Sequence, residues 1–380
     1  MAFLALTLAA VFVFRGNAER FCPFGGVEAL YAYVTEGNTL CSIGVSNFFV
    51  LGGVLLSVLL LRRAFCGYAC PIGAIQEGTR AVAAKLGIPA LTVSRGVDRW
   101  LSLLKYAVLA LILFVTWRAG ELLFRAADPC YALLSRHGED ITVWAYVVSG
   151  AILVGAFLVH VPFCRWLCPL AAVMNPFSRA AVGRVARDGA SCVDCARCAK
   201  ACPMAIEVHR KQQVDEARCT ACLRCVDACP KRSTGTLAFR LPPLAPRLSR
   251  GALVGLFLAI LASAVIASEL FPLPSFTWAR GVEPAQTATV EMQVEELTCR
   301  GRANMLRYFL DRDDDLALLG YVKAEAWPGP GAARLRVTYD PAQDDERAVR
   351  DAILEPYYDY DLGTWRPSPF SIPGYDPLGP

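Results

Sequence analysis

The sequence predicts an α-helical membrane protein with about five transmembrane helices, a cysteine-rich domain inserted before the last of them, and a C-terminal α+β domain. Three observations carry this reading. Of 380 residues, 55% are hydrophobic and only 19% charged, where a soluble chain carries about a quarter. Four apolar runs, 42–61, 101–117, 141–160 and 251–268, are broken by no charge except Lys105 and reach the roughly 17–25 residues that cross the hydrocarbon. Sixteen cysteines are far more than an ordinary chain carries. Together these exclude a disordered chain and a plain soluble enzyme. The net charge of +4 is too small to imply nucleic acid as a partner.

A fifth run, 2–14, is too short by itself and lacks the basic start and small-residue cleavage site of a signal peptide. It reads as the remaining end of a span whose upstream part is missing from this start, with a short interfacial helix as the alternative. Loop charge then orients the chain. Segment 62–100 carries six Lys/Arg against Glu77 and Asp98, and 161–250 carries fifteen against six acids. Segment 118–140 has three against four, and the tail 271–380 has eleven against eighteen. Basic loops stay in the cytoplasm. Segments 62–100 and 161–250 are therefore expected inside, and 16–41, 118–140 and the tail outside.

The first four spans look like a duplicated hairpin. Phe65-Cys66-Gly67-Tyr68-Ala69-Cys70-Pro71 follows one hairpin and Phe163-Cys164-Arg165-Trp166-Leu167-Cys168-Pro169 the other. A spacing of four predicts that both cysteines of each pair lie on one helical face, with the proline starting a new helix at the membrane edge. Brought together, Cys66, Cys70, Cys164 and Cys168 supply four soft ligands, enough for a further cluster or a thiolate metal site. Buried structural cysteines and a redox-active dithiol pair are the alternatives.

The strongest pattern is Cys192-x2-Cys195-x2-Cys198-x3-Cys202-Pro203, repeated as Cys219-x2-Cys222-x2-Cys225-x3-Cys229-Pro230. Such spacing wraps three thiolates around one iron–sulfur cubane and points the fourth at its neighbour. One [4Fe-4S] cluster is then held by Cys192, Cys195, Cys198 and Cys229, and the other by Cys219, Cys222, Cys225 and Cys202. The fourth cysteine of each motif is expected on a short helix, with Pro203 and Pro230 at a first helical position. Ala196, Ala199, Ala201 and Ala221 leave room for close backbone approach. Zinc favours separated cysteine pairs, and disulfides do not suit the reducing side. Residues 188–235 resemble the bacterial two-cluster ferredoxins.

The order of the motifs, with each hairpin followed by Phe-Cys-x3-Cys-Pro and then two ferredoxin motifs, is similar over residues 20–240 to the membrane-bound 4Fe-4S polyferredoxins. That family includes the ferredoxin-type quinol dehydrogenase subunit of periplasmic nitrate reductase and the nitrous-oxide reductase maturation regulator. The resemblance implies electron transfer at the bacterial cytoplasmic (inner) membrane, often in service of an extracytoplasmic metalloenzyme. This chain departs from the pattern in its fifth span and acidic tail.

Cys22, Cys41, Cys130 and Cys299 fall on the outer side. A structural Cys22–Cys41 disulfide and a thiol relay or metal-passing site through Cys130 and Cys299 are both open. The tail reads as β-α-β-β-α over about 287–359. It resembles the small heavy-metal-associated domains of ferredoxin-like fold, in which Cys-x-x-Cys chelates the metal. Here Leu297-Thr298-Cys299-Arg300-Gly301-Arg302 keeps only the first cysteine, so the likeness implies a docking domain for an extracytoplasmic metalloprotein rather than a chelator. From Gly363 onward the chain is Pro-rich and expected to be extended.

The expected divisions are thus a membrane domain at 1–180, a ferredoxin domain at 185–240, a fifth span at 250–270, the tail domain at 285–360 and a Pro-rich end at 361–380. Three histidines in all do not furnish a membrane haem, and neither a Walker motif nor a Gly-x-Gly-x-x-Gly fingerprint occurs. The recognisable ligands all lie on the inner face of a hydrocarbon layer ~30 Å thick. Quinone, a centre in the outer loops or a partner subunit must then carry electrons across. The reading is an integral membrane iron–sulfur protein passing electrons between a cytoplasmic redox partner and the membrane. Its alternative is a maturation or metal-handling factor that supplies reducing power to an extracytoplasmic metalloprotein.

Overall fold

The computed structural model describes residues 23–36, 46–119, 128–129, 142–242, 245–271, 274, 276–281, 284–297, 300–312, 318–327, 332–359 and 363–377. Run 2–14 and Cys22, Cys41, Cys130 and Cys299 lie outside the described residues. The chain divides into two units, one of residues 1–28 and 46–270 and the other of 29–45 and 271–380.

Helix α1 (Pro23–Glu36) begins in the first unit, in which α2 (Ser46–Leu61) leads into the one-turn α3 (Ala64–Tyr68) and then α4 (Pro71–Lys85). Helices α5 (Arg95–Leu101), α6 (Leu104–Ala119) and α7 (Val143–Leu158) follow. A π-turn over Phe163–Leu167 then feeds α8 (Pro169–Arg179). Phe24, Val54, Val58, Ile112, Leu170 and Met174 form one buried cluster among these helices. Apolar residues are also left bare: Leu111, Phe114 and Trp117 on α6, and Val143, Trp144 and Val154 on α7, are all exposed.

Two of the described helical stretches are long and apolar enough to cross a membrane, Arg95–Arg118 and Arg250–Ser268. Helices α2 and α7 have 16 residues each, about 24 Å at the helical rise, less than the ~30 Å of a typical hydrocarbon layer. Each is cut short by the turn that follows it. Arg62 adopts φ 59° directly after α2, and Val161 φ 43° shortly after α7, a left-handed conformation that no helix continues through.

The cysteine-rich segment belongs to this same unit. Strands β1 (Arg184–Arg187), β2 (Leu237–Leu241) and β3 (Ala245–Leu248) form an antiparallel sheet in that order. The backbone N–H groups of Val182 and Gly183 donate to Leu59 O and Leu60 O at 2.8 and 3.0 Å. Gly183 is required there, because a Cβ would lie 2.3 Å from Leu60 O and 2.6 Å from the Phe239 ring. Leu61, Val161, Cys164, Cys219, Phe239 and Phe257 share one core, so helix ends and cysteine loops are packed as a single body. The last helix of the unit (Arg250–Leu270) runs along α2, where Gly53 meets Ala264.

In the second unit a four-stranded antiparallel sheet takes the order β4 (Phe276–Ala279), β6 (Tyr321–Trp327), β7 (Ala332–Tyr339), β5 (Ala288–Glu295). Val290, Met292 and Val294 alternate inward and share a core with Ala303, Leu306 and Phe309 of the helix Arg300–Leu310. Val349 and Ile353 of the helix Glu346–Leu354 complete it. Asp345 caps that last helix, accepting from Ala348 N–H at 2.7 Å, as a short acidic side chain does at a helix start.

The end of the chain, expected to be extended and Pro-rich, packs onto this unit. β8 (Tyr357–Asp359) and β9 (Thr364–Arg366) pair as a hairpin. Phe370 and Ile372 then enter the core, and Glu295 N–H donates to Ser371 O at 2.9 Å. Residues at i and i+2 of an extended segment face the same side, so both side chains reach the core.

Candidate iron–sulfur sites

The two cysteine triplets fold alike. In the first, Asp194 (φ 48°) and Ala196 (φ 56°) flank Cys195; in the second, Ala221 (φ 49°) and Leu223 (φ 58°) flank Cys222. Left-handed backbone at non-glycine residues costs of order 1–3 kcal/mol each, so its repetition at matching positions marks a built loop. Such turns gather successive N–H groups into a concavity suited to anionic sulfur.

One-turn helices Arg197–Lys200 and Arg224–Asp227 carry Cys198 and Cys225. Cys202 and Cys229 lie just beyond them, not on them, and Pro203 and Pro230 sit in the turns that follow. This corrects the expected placing: each helix stops after one turn, before its fourth cysteine.

Two cavities open between these loops. Cys202, Cys219, Cys222 and Cys225 line one together with Val185 and Ile206. Cys192, Cys195, Cys198 and Cys229 line the other together with Arg187 and His209. Each takes three cysteines from one motif and the fourth from the other. Among the described residues, no three Cys, His, Asp or Glu side chains converge closely enough to hold a single metal ion. Thiols that ring a space rather than meet at a point fit a cubane better than zinc. Burial pushes the Cys219 thiol up to about 12. It raises Cys225 further, helped by Cys219, Cys202 and Cys222. Buried sulfurs at such close quarters need a positively charged core between them to ionise.

The paired Cys-x3-Cys-Pro motifs also converge, by a geometry other than the expected shared helical face. Cys66 lies in α3, which ends at Tyr68, and Cys70 is the extended N-cap of α4, with Pro71 opening that helix. Cys164 lies in the π-turn and Cys168 is the extended N-cap of α8, before Pro169. A residue preceding proline is pushed out of the α region, so one helix cannot hold both cysteines of a pair. Burial, followed by the charge of Cys66, pushes Cys168 up to about 11. Cys164 rises well above its ordinary value through burial and then through Cys70, Cys168 and Cys66. The four thiols are thus mutual neighbours.

The polar shell of this site was not legible in the motifs. Arg63, fully buried, donates from Nη2 to Cys66 Sγ at 3.5 Å and from Nη1 to Asn175 Oδ1 at 3.4 Å. Gln76, also fully buried, donates from Nε2 to Cys164 Sγ at 3.3 Å and accepts the Phe163 N–H at 3.1 Å. Asp98 accepts from Arg165, Trp166 and Arg218. In the sequence, Arg63 and Asp98 registered only as loop charges, and Gln76 carried no signal. In the tail, Arg302 is half-buried on its helix.

A family model described as a 4Fe-4S binding domain matches twice, at residues 43–89 and 141–187. Another, described as a 4Fe-4S dicluster domain, matches residues 184–230. YccM of Escherichia coli, a candidate electron transport protein, is 30% identical over 222 residues, 54% of this chain and 59% of its own length. MJ0750 of Methanocaldococcus jannaschii is 30% identical over 195 residues, 48% of this chain and 80% of that protein. The ferredoxin-type protein NapH of Haemophilus influenzae is 30% identical over 159 residues, 40% of this chain and 51% of that protein. The chain therefore spans little more than half of YccM and of NapH. No solved structure matches it.

Motifs and family models together define a protein with 4Fe-4S domains. The chain belongs to the family of ferredoxin-type proteins with 4Fe-4S domains.

Proposed function

We propose that this protein is an integral membrane electron carrier that passes single electrons between a cytoplasmic redox partner and the membrane, to quinone or an extracytoplasmic acceptor. Two [4Fe-4S] clusters are held by Cys192, Cys195, Cys198 and Cys229, and by Cys219, Cys222, Cys225 and Cys202. A further cluster is held by Cys66, Cys70, Cys164 and Cys168. The observation that carries the reading is the crossed grouping of eight thiols around two cavities. The double match of a 4Fe-4S binding domain across both Cys-x3-Cys-Pro motifs supports the third centre.

Bound clusters supply one-electron redox chemistry. The chain's own residues hold the thiolates, bury them and aim N–H and guanidinium donors at sulfur, which tunes the potential. Arg63 and Gln76 do this at the four-thiol site. The membrane assignment, with about five spans and a cytoplasmic cysteine segment, is supported by the exposed apolar faces of α6 and α7. Trp100, Trp117 and Trp144, all exposed near helix ends, suit interfacial positions.

Anaerobic purification tests the reading. Iron and sulfide well below about eight atoms each per chain reject the two ferredoxin clusters. A reporter fusion that places residue 240 outside rejects the topology.

The second reading, a maturation or metal-handling factor, is favoured by the β-α-β-β-α unit of residues 288–354. Cys299→Ser separates the two: loss of metal delivery at full cluster content supports the factor, and an unchanged phenotype supports the carrier.

A further inference from the structure

We infer that the three cysteine sets form a series, and that Asp98 is the positioning residue that holds its two inner members together; the inference rests on the cluster sites proposed above. The Cys202/Cys219/Cys222/Cys225 set is pressed against the four-thiol site. Gly67, between Cys66 and Cys70, has no room for a side chain: a Cβ there would lie 2.7 Å from Thr220 O and 3.5 Å from Cys222 Cβ. Tyr68 OH donates to Ala221 O at 3.0 Å, and Arg63 N–H to Cys219 O at 3.3 Å.

Asp98 bridges the same two loops. It is 4% exposed and accepts from Arg165 Nη2 at 2.5 Å, from Trp166 Nε1 at 2.8 Å and from Arg218 Nη1. Arg165 and Trp166 lie between Cys164 and Cys168, and Arg218 directly precedes Cys219. Without the carboxylate, two guanidinium groups would face each other in a poorly solvated place, where like charges repel strongly. The remaining set is arranged otherwise. In the set of Cys192, Cys195, Cys198 and Cys229, Cys195 is exposed, whereas Cys219 of the middle set is buried. The Cys192 set is the outermost station, where a soluble one-electron reductant meets the protein. With clusters bound, an electron would move inward through the middle set to the four-thiol site. Each transfer oxidises one centre and reduces the next by one electron, and no bond forms or breaks.

The test uses the full-length protein in detergent, reduced with dithionite and read by EPR after iron has been counted. Cys168→Ser opens the four-thiol site. The expected result is loss of about four irons, a sharpened signal from the Cys219 set (assigned with Cys222→Ser) and an unchanged signal from the Cys192 set. Sharpening of the Cys192 signal instead overturns the order. Unchanged iron overturns the third cluster, and with it the series, while leaving the eight-cysteine reading intact.

Asp98→Asn keeps the shape and removes the charge. Full iron with the spin coupling of the two inner sets weakened, and regained in Asp98→Glu, is expected. An unchanged spectrum at full iron overturns the positioning role. Should Asp98→Asn lose iron, Arg218→Lys, which keeps the charge but breaks the planar fork, carries the same comparison with the same two outcomes.

Discussion

Cys70 and Cys168 occupy one backbone position twice. Each is an N-cap in extended conformation (φ −67°, ψ 118° and φ −62°, ψ 116°), each precedes a proline that opens a helix, and each donates its N–H at 2.9 Å to the carbonyl of the motif's phenylalanine, Phe65 or Phe163. The duplicated motif is therefore a duplicated turn. Two such turns, set on the ends of packed helices, carry four thiols to one place.

Cluster content should fall in steps. Cys195→Ser is expected to remove about four irons and Cys222→Ser another four, because each breaks a different ring of thiolates. Iron and sulfide analysis of the two single variants and the double variant checks this. Equal loss in the single and double variants would mean that the two sites load as one.

Gly67→Ala should loosen the seam between the cysteine loops. Its Cβ would lie 2.7 Å from the Thr220 carbonyl, and overpacking against backbone costs about 1–3 kcal/mol. Gly189→Ala, where a Cβ meets nothing within 4 Å, is the control. Thermal loss of the cluster absorbance should come earlier in the first variant and at the wild-type temperature in the second.

Metal-free protein should lose stability in alkali. Burial raises Cys219 from an ordinary 9.0 to about 12, so the folded state favours the neutral thiol. That contribution is fully present below 9.0 and is lost as pH rises towards 12. Melting of the metal-free chain should therefore drop above pH ~9, whereas in the loaded protein the thiolate is already bound and no such slope is expected. Parallel melts of the two forms decide it.

Phe370→Ala should unsettle the second unit. Its side chain is 5% exposed and meets Phe309 edge-on at 5.8 Å, and emptying such a site costs about 3–5 kcal/mol. Trp365→Ala, on an exposed residue, should cost far less. Hydrogen exchange of the β5 and β7 amides in the full chain reports both.

Cysteine spacing by itself determined which eight thiols share which cavity, because runs of two and three intervening residues leave a loop few ways to close. Alternating apolar residues likewise determined β5, and hydropathy located α2, α6, α7 and the helix from Arg250. Only tertiary packing decided that Asp98, Gln76 and Arg63 surround the cysteines. Asp98 and Arg218 are 120 residues apart, and no local pattern encodes a contact of that span. Packing also brought Phe370 and Ile372 into a core that their Pro-rich setting concealed. The i, i+4 helical face expected of Cys66 and Cys70 fails for a local reason instead, because the proline that follows disfavours helical backbone at Cys70.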